Sequence, residues 1–221
     1  MSGWRIRAAG DAAVMVEFEC RIDPVINARV VALADAVRAA QHPGVRDVVP
    51  SYSAVTVYFD PLRTDFERLW AVLEEVAVAP ERDAGPAQEI VIPVHYGGLA
   101  GPDLDGVAAF AGCSADEVVR LHTATRYRVY LVGFLPGFPY LGTVDARIAM
   151  PRRSCPRLAV PAGSVGIAGA QTGIYPTTAP GGWRLIGLAA VDPFDAGRES
   201  PSLFRPGDMV RFEAMSTETS R

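Results

Sequence analysis

Glycine and proline crowd into two stretches of this 221-residue chain, 133–142 (GFLPGFPYLG) and 156–187 (PRLAVPAGSVGIAGAQTGIYPTTAPGGWRLIG). Proline fixes φ and removes a backbone donor, and glycine weakens the interior of helices and strands alike, so no long element can cross such a region. Beyond Arg128 no helix is readable. Short apolar runs at 129–134, 157–160, 164–168, 183–187 and 208–212 alternate with Gly/Pro breaks. Many short strands separated by turn residues predict a small closed or nearly closed β-barrel.

The first third of the chain reads differently. Trp4, Ile6 and Ala8, then Val14, Val16 and Phe18, alternate on either side of Gly10-Asp11, which predicts a hairpin. Asp23-Pro24 supplies an N-cap and a first-turn proline for a helix with Ile26, Val30, Leu33, Ala34 and Val37 on one stripe, stopped by Pro43-Gly44. Strands at 45–50 and 55–59 follow, and then a Thr64–Glu67 capping box opens a helix with Phe66, Leu69, Trp70, Leu73 and Val76 inward. The order β-β-α-β-β-α predicts an α+β domain with helices on one face of an antiparallel sheet. The polar, Pro- and Gly-bearing stretch 80–88 has the profile of a linker, so the domains are expected at 1–84 and 85–221. The second opens with a strand through Ile90, Ile92, Val94 and Tyr96. Two short helices come next, one through Leu104, Val107 and Phe110, the other from a Ser114–Glu117 capping box with Val118, Leu121, His122 and Thr125 in line.

The chain contains no lysine; its 21 basic residues are all arginine. This excludes a Schiff-base lysine, a P-loop lysine and a Ser-Lys dyad from this chain. Between Arg120 and Gly187 there are eight arginines and one acidic residue, Asp145, a local charge of +7 in a chain of net charge -4. An anionic ligand is expected on that face. Cys20, Cys113 and Cys155 are scattered and form no CxxC pair, which predicts packing thiols rather than a disulfide framework. His42, His95 and His122 have no metal-ligand spacing, so no protein-bound metal is expected. There is no apolar run of membrane-spanning length and no leader pattern in the first 21 residues, so the expected location is the cytoplasm, with neither membrane nor nucleic acid as partner.

The chemistry is expected in the segment 122–187. Glycines such as Gly137 allow backbone N–H groups close to a ligand, and Phe134, Phe138, Tyr140, Tyr175 and Trp183 are aromatics that could wall a pocket or simply fill a core. Arg157, Gln171, Thr172 and Tyr175 are polar groups embedded in these loops, with donors suited to phosphate or carboxylate. His122 lies on the inner stripe of its helix, where a packed core histidine and an acid-base catalyst are both readings of the same position. Ala162–Gly166 (AGSVG) approximates a nucleophile elbow, but the residues around Ser164 continue a strand pattern instead of turning into a helix.

The run GFLPGFPYLG at 133–142, followed by PRLAVPAGSVGIAGAQTGIYP at 156–176 and PGGWRLIG at 180–187, with His122 upstream, resembles the family of B-type 5-oxoprolinase subunits, also known as allophanate hydrolase subunit 1 or KipI-like. The resemblance extends over essentially the whole chain. It implies an α+β N-terminal domain and a cyclophilin-like β-barrel. It also implies two partners, a C-type 5-oxoprolinase subunit (the allophanate hydrolase subunit 2 type) and an A-type one. The assembled enzyme would open 5-oxoproline to glutamate with ATP as co-substrate, through a site to which this chain contributes part. A component of an allophanate- or urea-directed enzyme, and a KipI-like inhibitor of a sensor histidine kinase, are the alternatives within the same resemblance. In a chain without lysine any biotin would arrive on another protein.

Overall fold

The computed structural model describes residues 4–78 and 87–215. It divides into two compact units, 1–87 and 88–221. The expected linker at 80–86, the expected boundary at 84/85 and the side chain of Val76 lie outside the described residues.

In the first unit, β1 (Trp4–Ala8), β2 (Ala13–Phe18), β3 (Val45–Pro50) and β4 (Ala54–Phe59) form an antiparallel sheet in the order β1-β2-β4-β3. Period-two alternation sends Ile6, Val14, Val16, Val48, Val55, Val57 and Phe59 into one core. Helix α1 (Pro24–Ala39) contributes Val30, Leu33, Ala34 and Val37 to that core, and α2 (Phe66–Val78) contributes Leu69 and Leu73. The Asp23 carboxylate caps α1, accepting from the N–H groups of Val25 at 2.8 Å and Ile26 at 3.1 Å. The capping box at Thr64 is corrected by one residue: Asp65 accepts from Arg68 N–H at 2.9 Å, while the Thr64 hydroxyl is buried without a hydrogen-bond partner. Thr64 instead packs its side chain against the backbone at Gly44, where a Cβ would lie 2.6 Å from its methyl.

The second unit contains β5 (Glu89–Tyr96), α3 (Leu104–Ala111), α4 (Ala115–Thr123), β6 (Arg126–Val132), β7 (Pro139–Gly142), β8 (Arg157–Val160), β9 (Ser164–Ala168), β10 (Gln171–Ile174), β11 (Ala179–Gly181), β12 (Arg184–Ala189) and β13 (Met209–Ala214). Seven of these close a barrel in the order β10-β7-β6-β13-β5-β12-β9, with β9 returning to β10. The pairs are antiparallel except β5 with β13, which run parallel from Glu89 beside Met209 to Val94 beside Ala214. Strands β8 and β11 form a separate two-stranded sheet. This is the α+β unit and β-barrel architecture expected from the sequence.

The barrel is filled by Ile92, Tyr127, Val129, Leu141, Val165, Ile167, Ile174, Val210 and Phe212, and the inner faces of α3 and α4 join this core through Leu104, Val107, Val118 and Leu121. A fully buried side chain such as Phe212 contributes roughly 2–3 kcal/mol of transfer free energy. Phe110, expected inward, is 51% exposed, because the α3 stripe that faces the barrel runs through Leu104, Val107 and Ala108. Thr125 falls beyond the end of α4. The cysteines are corrected in part: Cys113 packs against the barrel core, whereas Cys20 and Cys155 are exposed.

Candidate functional site

Helix α4 is capped by Ser114, whose hydroxyl accepts from Glu117 N–H at 3.2 Å, and this fixes the phase that turns Val118, Leu121 and His122 inward. His122 is fully buried, with ring centroids of Phe212, Tyr127 and Tyr96 at 4.5, 5.3 and 5.8 Å. Its Nε2 lies 2.9 Å from Thr172 Oγ1 and its Nδ1 lies 2.7 Å from the Tyr96 hydroxyl. Thr172 donates its single proton to the carbonyl of Gly166 at 3.0 Å, so it accepts from His122. The proton of the neutral ring therefore sits on Nε2, and Tyr96 donates to Nδ1. Burial pushes the His122 pKa down to about 3. Both nitrogens are engaged and the ring is sealed from solvent, so the structure replaces the acid-base expectation for His122 with a role in joining α4, β5 and β10. Thr172 belongs to the same closed chain of donors rather than to a ligand surface.

A second polar cluster forms around Asp103, at the start of α3. Its side chain is 10% exposed. It accepts from Arg157 through a two-pronged pair at 2.8 and 2.9 Å, from Arg153 at 3.2 Å and from the N–H of Leu185 at 2.8 Å. Burial opposes the charge of Asp103, but the Arg157 bond, the Leu185 N–H and the two guanidinium charges outweigh it and hold the carboxyl below its ordinary range. Arg157, expected to bind a ligand, has its fork engaged here. The pair locks β8 and the loop before it onto α3 and β12.

The aromatics of the Gly/Pro stretches do come together. Phe138 is buried at the centre, with the rings of Tyr140, Tyr175 and Trp183 edge-on to it at 4.9, 5.2 and 5.3 Å. Tyr140 and Trp183 are 5.9 Å apart and close the group. Val160, Ala168 and Leu185 complete this cluster, which is distinct from the barrel core. The Trp183 backbone lies close enough to the Tyr175 hydroxyl to oppose the rise in its pKa. Gly181 lies against the same hydroxyl so closely that a Cβ there would collide with it. Burial raises the pKa of both Tyr140 and Tyr175, and the charge of Arg152 opposes that rise in each. Arg152 itself is exposed, with its guanidinium carbon 5.7 Å from the Trp183 ring centroid.

The remaining candidates fall elsewhere. Gly137 has φ +80° and would carry a Cβ 2.6 Å from Phe194 Cβ, so its glycine accommodates the protein's own 193–194 segment instead of a ligand. Gln171 is part-buried in β10, in register with Gly142 and Ala168. Ser164 is 2% exposed within β9, in keeping with its strand pattern.

The arginine excess is largely neutralised by Asp145 and by carboxylates from outside the segment. Glu117 and Asp145 hold Arg120 and Arg147, Glu89 holds Arg126, and Asp103 holds Arg153 and Arg157. Among the described residues Arg152 and Arg184 have no carboxylate within ion-pair distance; Arg184 places its Nε 3.1 Å from the carbonyl of Pro151. Sequence reasoning missed Asp103, Tyr96 and the position of Arg152. The available signal was the absence of any acidic residue between Asp145 and Asp192, which obliges the intervening arginines to find remote partners or none. Among the described residues no group of three His, Cys, Asp or Glu could hold a metal ion, and no helix is long and apolar enough to cross a membrane.

Comparison with known proteins places this geometry among relatives. The family model of the carboxyltransferase domain, subdomain C and D, matches residues 4–204. The B-type 5-oxoprolinase subunit of Bacillus subtilis (strain 168) is 40% identical, over 96% of this chain and 93% of its own length. The crystal structure of TTHA0988 in space group P212121 superposes with a TM-score of 0.84 at 39% identity, covering 98% of this chain; the chain spans only 41% of that longer one. The urea carboxylase of Kluyveromyces lactis, at 21% identity and a TM-score of 0.77 over 96% of this chain and 22% of its own, shares the fold.

Proposed function

Because the chain belongs to the family of B-type 5-oxoprolinase subunits and carries its carboxyltransferase domain, subdomain C and D, we propose that it is one component of an ATP-dependent enzyme that hydrolyses 5-oxo-L-proline to L-glutamate. The observation that carries this reading is the exposed Arg152, which has no carboxylate partner among the described residues and lies over the Trp183 ring at the rim of the part-exposed Tyr140, a cation at an aromatic edge suited to a small flat ring with an anionic substituent; Phe138, Tyr175 and Trp183 themselves are buried. A lactam is resonance-stabilised, and coupling to phosphoryl transfer from ATP supplies the activation that water alone lacks.

In this reading the active site is composite. The His122 ring in the barrel interior is locked in a neutral hydrogen-bonded chain, and five of the eight arginines of 120–187 (Arg120, Arg126, Arg147, Arg153, Arg157) are held by carboxylates. The described residues thus offer a triphosphate little free positive charge, and we assign ATP and the acid-base groups to the partners, the C-type and A-type subunits. Phe134 supports a docked partner: it is 62% exposed beside Phe138 and holds φ +71°, a conformation that costs a non-glycine residue free energy and persists where the surroundings impose it.

The test is reconstitution with each subunit omitted in turn, screened with 5-oxoproline, allophanate and urea. The expected result is ATP-dependent release of glutamate only when this chain is present. Full activity without it overturns the proposal, and turnover of urea in preference to 5-oxoproline assigns the chain to the urea-type branch.

A further inference from the structure

Arg152 differs from the arginines around it in standing on a fastened loop with no carboxylate of its own within ion-pair distance among the described residues. The loop that carries it is pinned on both sides. Arg184 Nε donates to the Pro151 carbonyl at 3.1 Å, Arg153 N–H donates to the Gly182 carbonyl at 2.7 Å, and the Arg153 and Arg157 side chains fasten to Asp103. Next to this loop lies the edge-on cluster of Tyr140, Tyr175 and Trp183 around Phe138, in which only Tyr140 is part-exposed. Asp103 draws away the two neighbouring guanidinium groups but not that of Arg152, which keeps its full fork of donors over the indole face. A guanidinium on a fastened loop without a counter-ion is a receptor for a planar anion, with the backbone part of the ordering cost already met by the loop.

We infer that Arg152 binds the carboxylate of a small cyclic amide acid whose ring rests against the part-exposed Tyr140, at the rim of the buried Trp183. One uncompensated positive charge beside an aromatic edge matches a monoanion with a flat ring, while a triphosphate calls for more charge and a cradle of backbone N–H groups. The inference rests on the lactam reading above and names the group that anchors the substrate. Arg152 is here a binding residue, and Asp103 is a positioning residue that acts through Arg153 and the loop.

The indole N–H signal of Trp183, assigned by Trp183→Phe, provides a probe on this chain alone. In a nitrogen-15 correlation experiment three probes are titrated: 5-oxo-L-proline, the same ring without its carboxylate (2-pyrrolidinone), and inorganic phosphate. The expected result is a saturable shift with 5-oxoproline and none, or one at least roughly tenfold weaker, with 2-pyrrolidinone, the factor expected for loss of one charge-assisted contact. Arg152→Gln is expected to weaken 5-oxoproline binding by about tenfold to a hundredfold, with Arg152→Lys in between because it keeps the charge and loses the fork. Equal binding of 2-pyrrolidinone, wild-type binding by Arg152→Gln with an otherwise unchanged spectrum, or tighter binding of phosphate than of 5-oxoproline would each overturn the assignment. The two readings fail separately. A reconstituted complex that never hydrolyses 5-oxoproline removes the function and leaves carboxylate binding by this chain standing; an active complex with Arg152-independent binding removes only the site.

Discussion

Arg157 and Arg152 stand five positions apart, and the regions they belong to use one chemical group in opposite ways. Around Arg157 and His122 the buried polar groups are paired internally: Asp103 accepts from two arginines and a backbone N–H, and Tyr96, His122, Thr172 and the Gly166 carbonyl form an unbroken chain. Around Arg152 the aromatic side chains are packed and the cation is left over. The closed region contributes to stability, and the open one leaves hydrogen-bonding capacity for something that is not part of this chain. A polar residue inside a Gly/Pro-rich barrel is thus informative about ligands only after its internal partners have been counted.

Substitutions test this contrast, beginning with the closed region. His122→Ala removes a fully buried ring and strands the Tyr96 hydroxyl, and is expected to lower stability by about 3–5 kcal/mol in urea unfolding of the intact chain. Asp103→Ala leaves Arg157 and Arg153 facing each other without their anion and the Leu185 N–H without its acceptor; the expected loss is about 2–4 kcal/mol, somewhat below that for a fully buried pair because both guanidinium groups retain some exposure. A loss under about 1 kcal/mol from either would mean that the closed region is not what holds the barrel.

Acidification sharpens the comparison next. In the folded chain His122 takes up its proton only near pH 3, whereas in the unfolded chain it does so near 6.5. Between these values the unfolded state binds more protons, so stability is full above about pH 6.5 and declines as pH falls. The His122 contribution alone amounts to about 2 kcal/mol between pH 7 and pH 5, above the range in which ordinary carboxylates titrate. That slope is expected to vanish in His122→Gln, and its persistence there would place its origin in another group. Arg152→Gln closes the series: it is expected to change stability by less than about 0.5 kcal/mol, as for an exposed side chain without a partner. A loss near that of Asp103→Ala would make Arg152 part of the closed region after all.

What the sequence made legible was local. The cap at Asp23, the cap at Ser114 and the inward phase of His122 each depend on residues within a turn or two, and strand alternation in β1, β2 and β4 depends on period two alone. The Asp103 cluster was invisible because its partners lie 50, 54 and 82 positions away, and nothing near Asp103 distinguishes it from an ordinary helix-start aspartate. The same distance effect concealed how Glu89, Glu117 and Asp103 neutralise the arginine segment. At Thr64 two adjacent capping residues competed, and packing against Gly44 decided for Asp65. The glycines that suggested a ligand loop were read correctly as close approaches and wrongly as approaches to a ligand; at Gly137 and Gly181 the visitor is the protein's own Phe194 or Tyr175.

The parallel pairing of β5 with β13 also has a temporal side. Glu89 meets Met209, so the barrel has no closing strand until nearly all of it has been synthesised. At elongation rates of about 5–20 residues per second, β5 waits roughly 6–25 s on the ribosome with an unsatisfied edge. Such an edge is a template for pairing with other chains. Until β13 pairs with it β5 offers such an edge, and a chain that lost β13 would keep it.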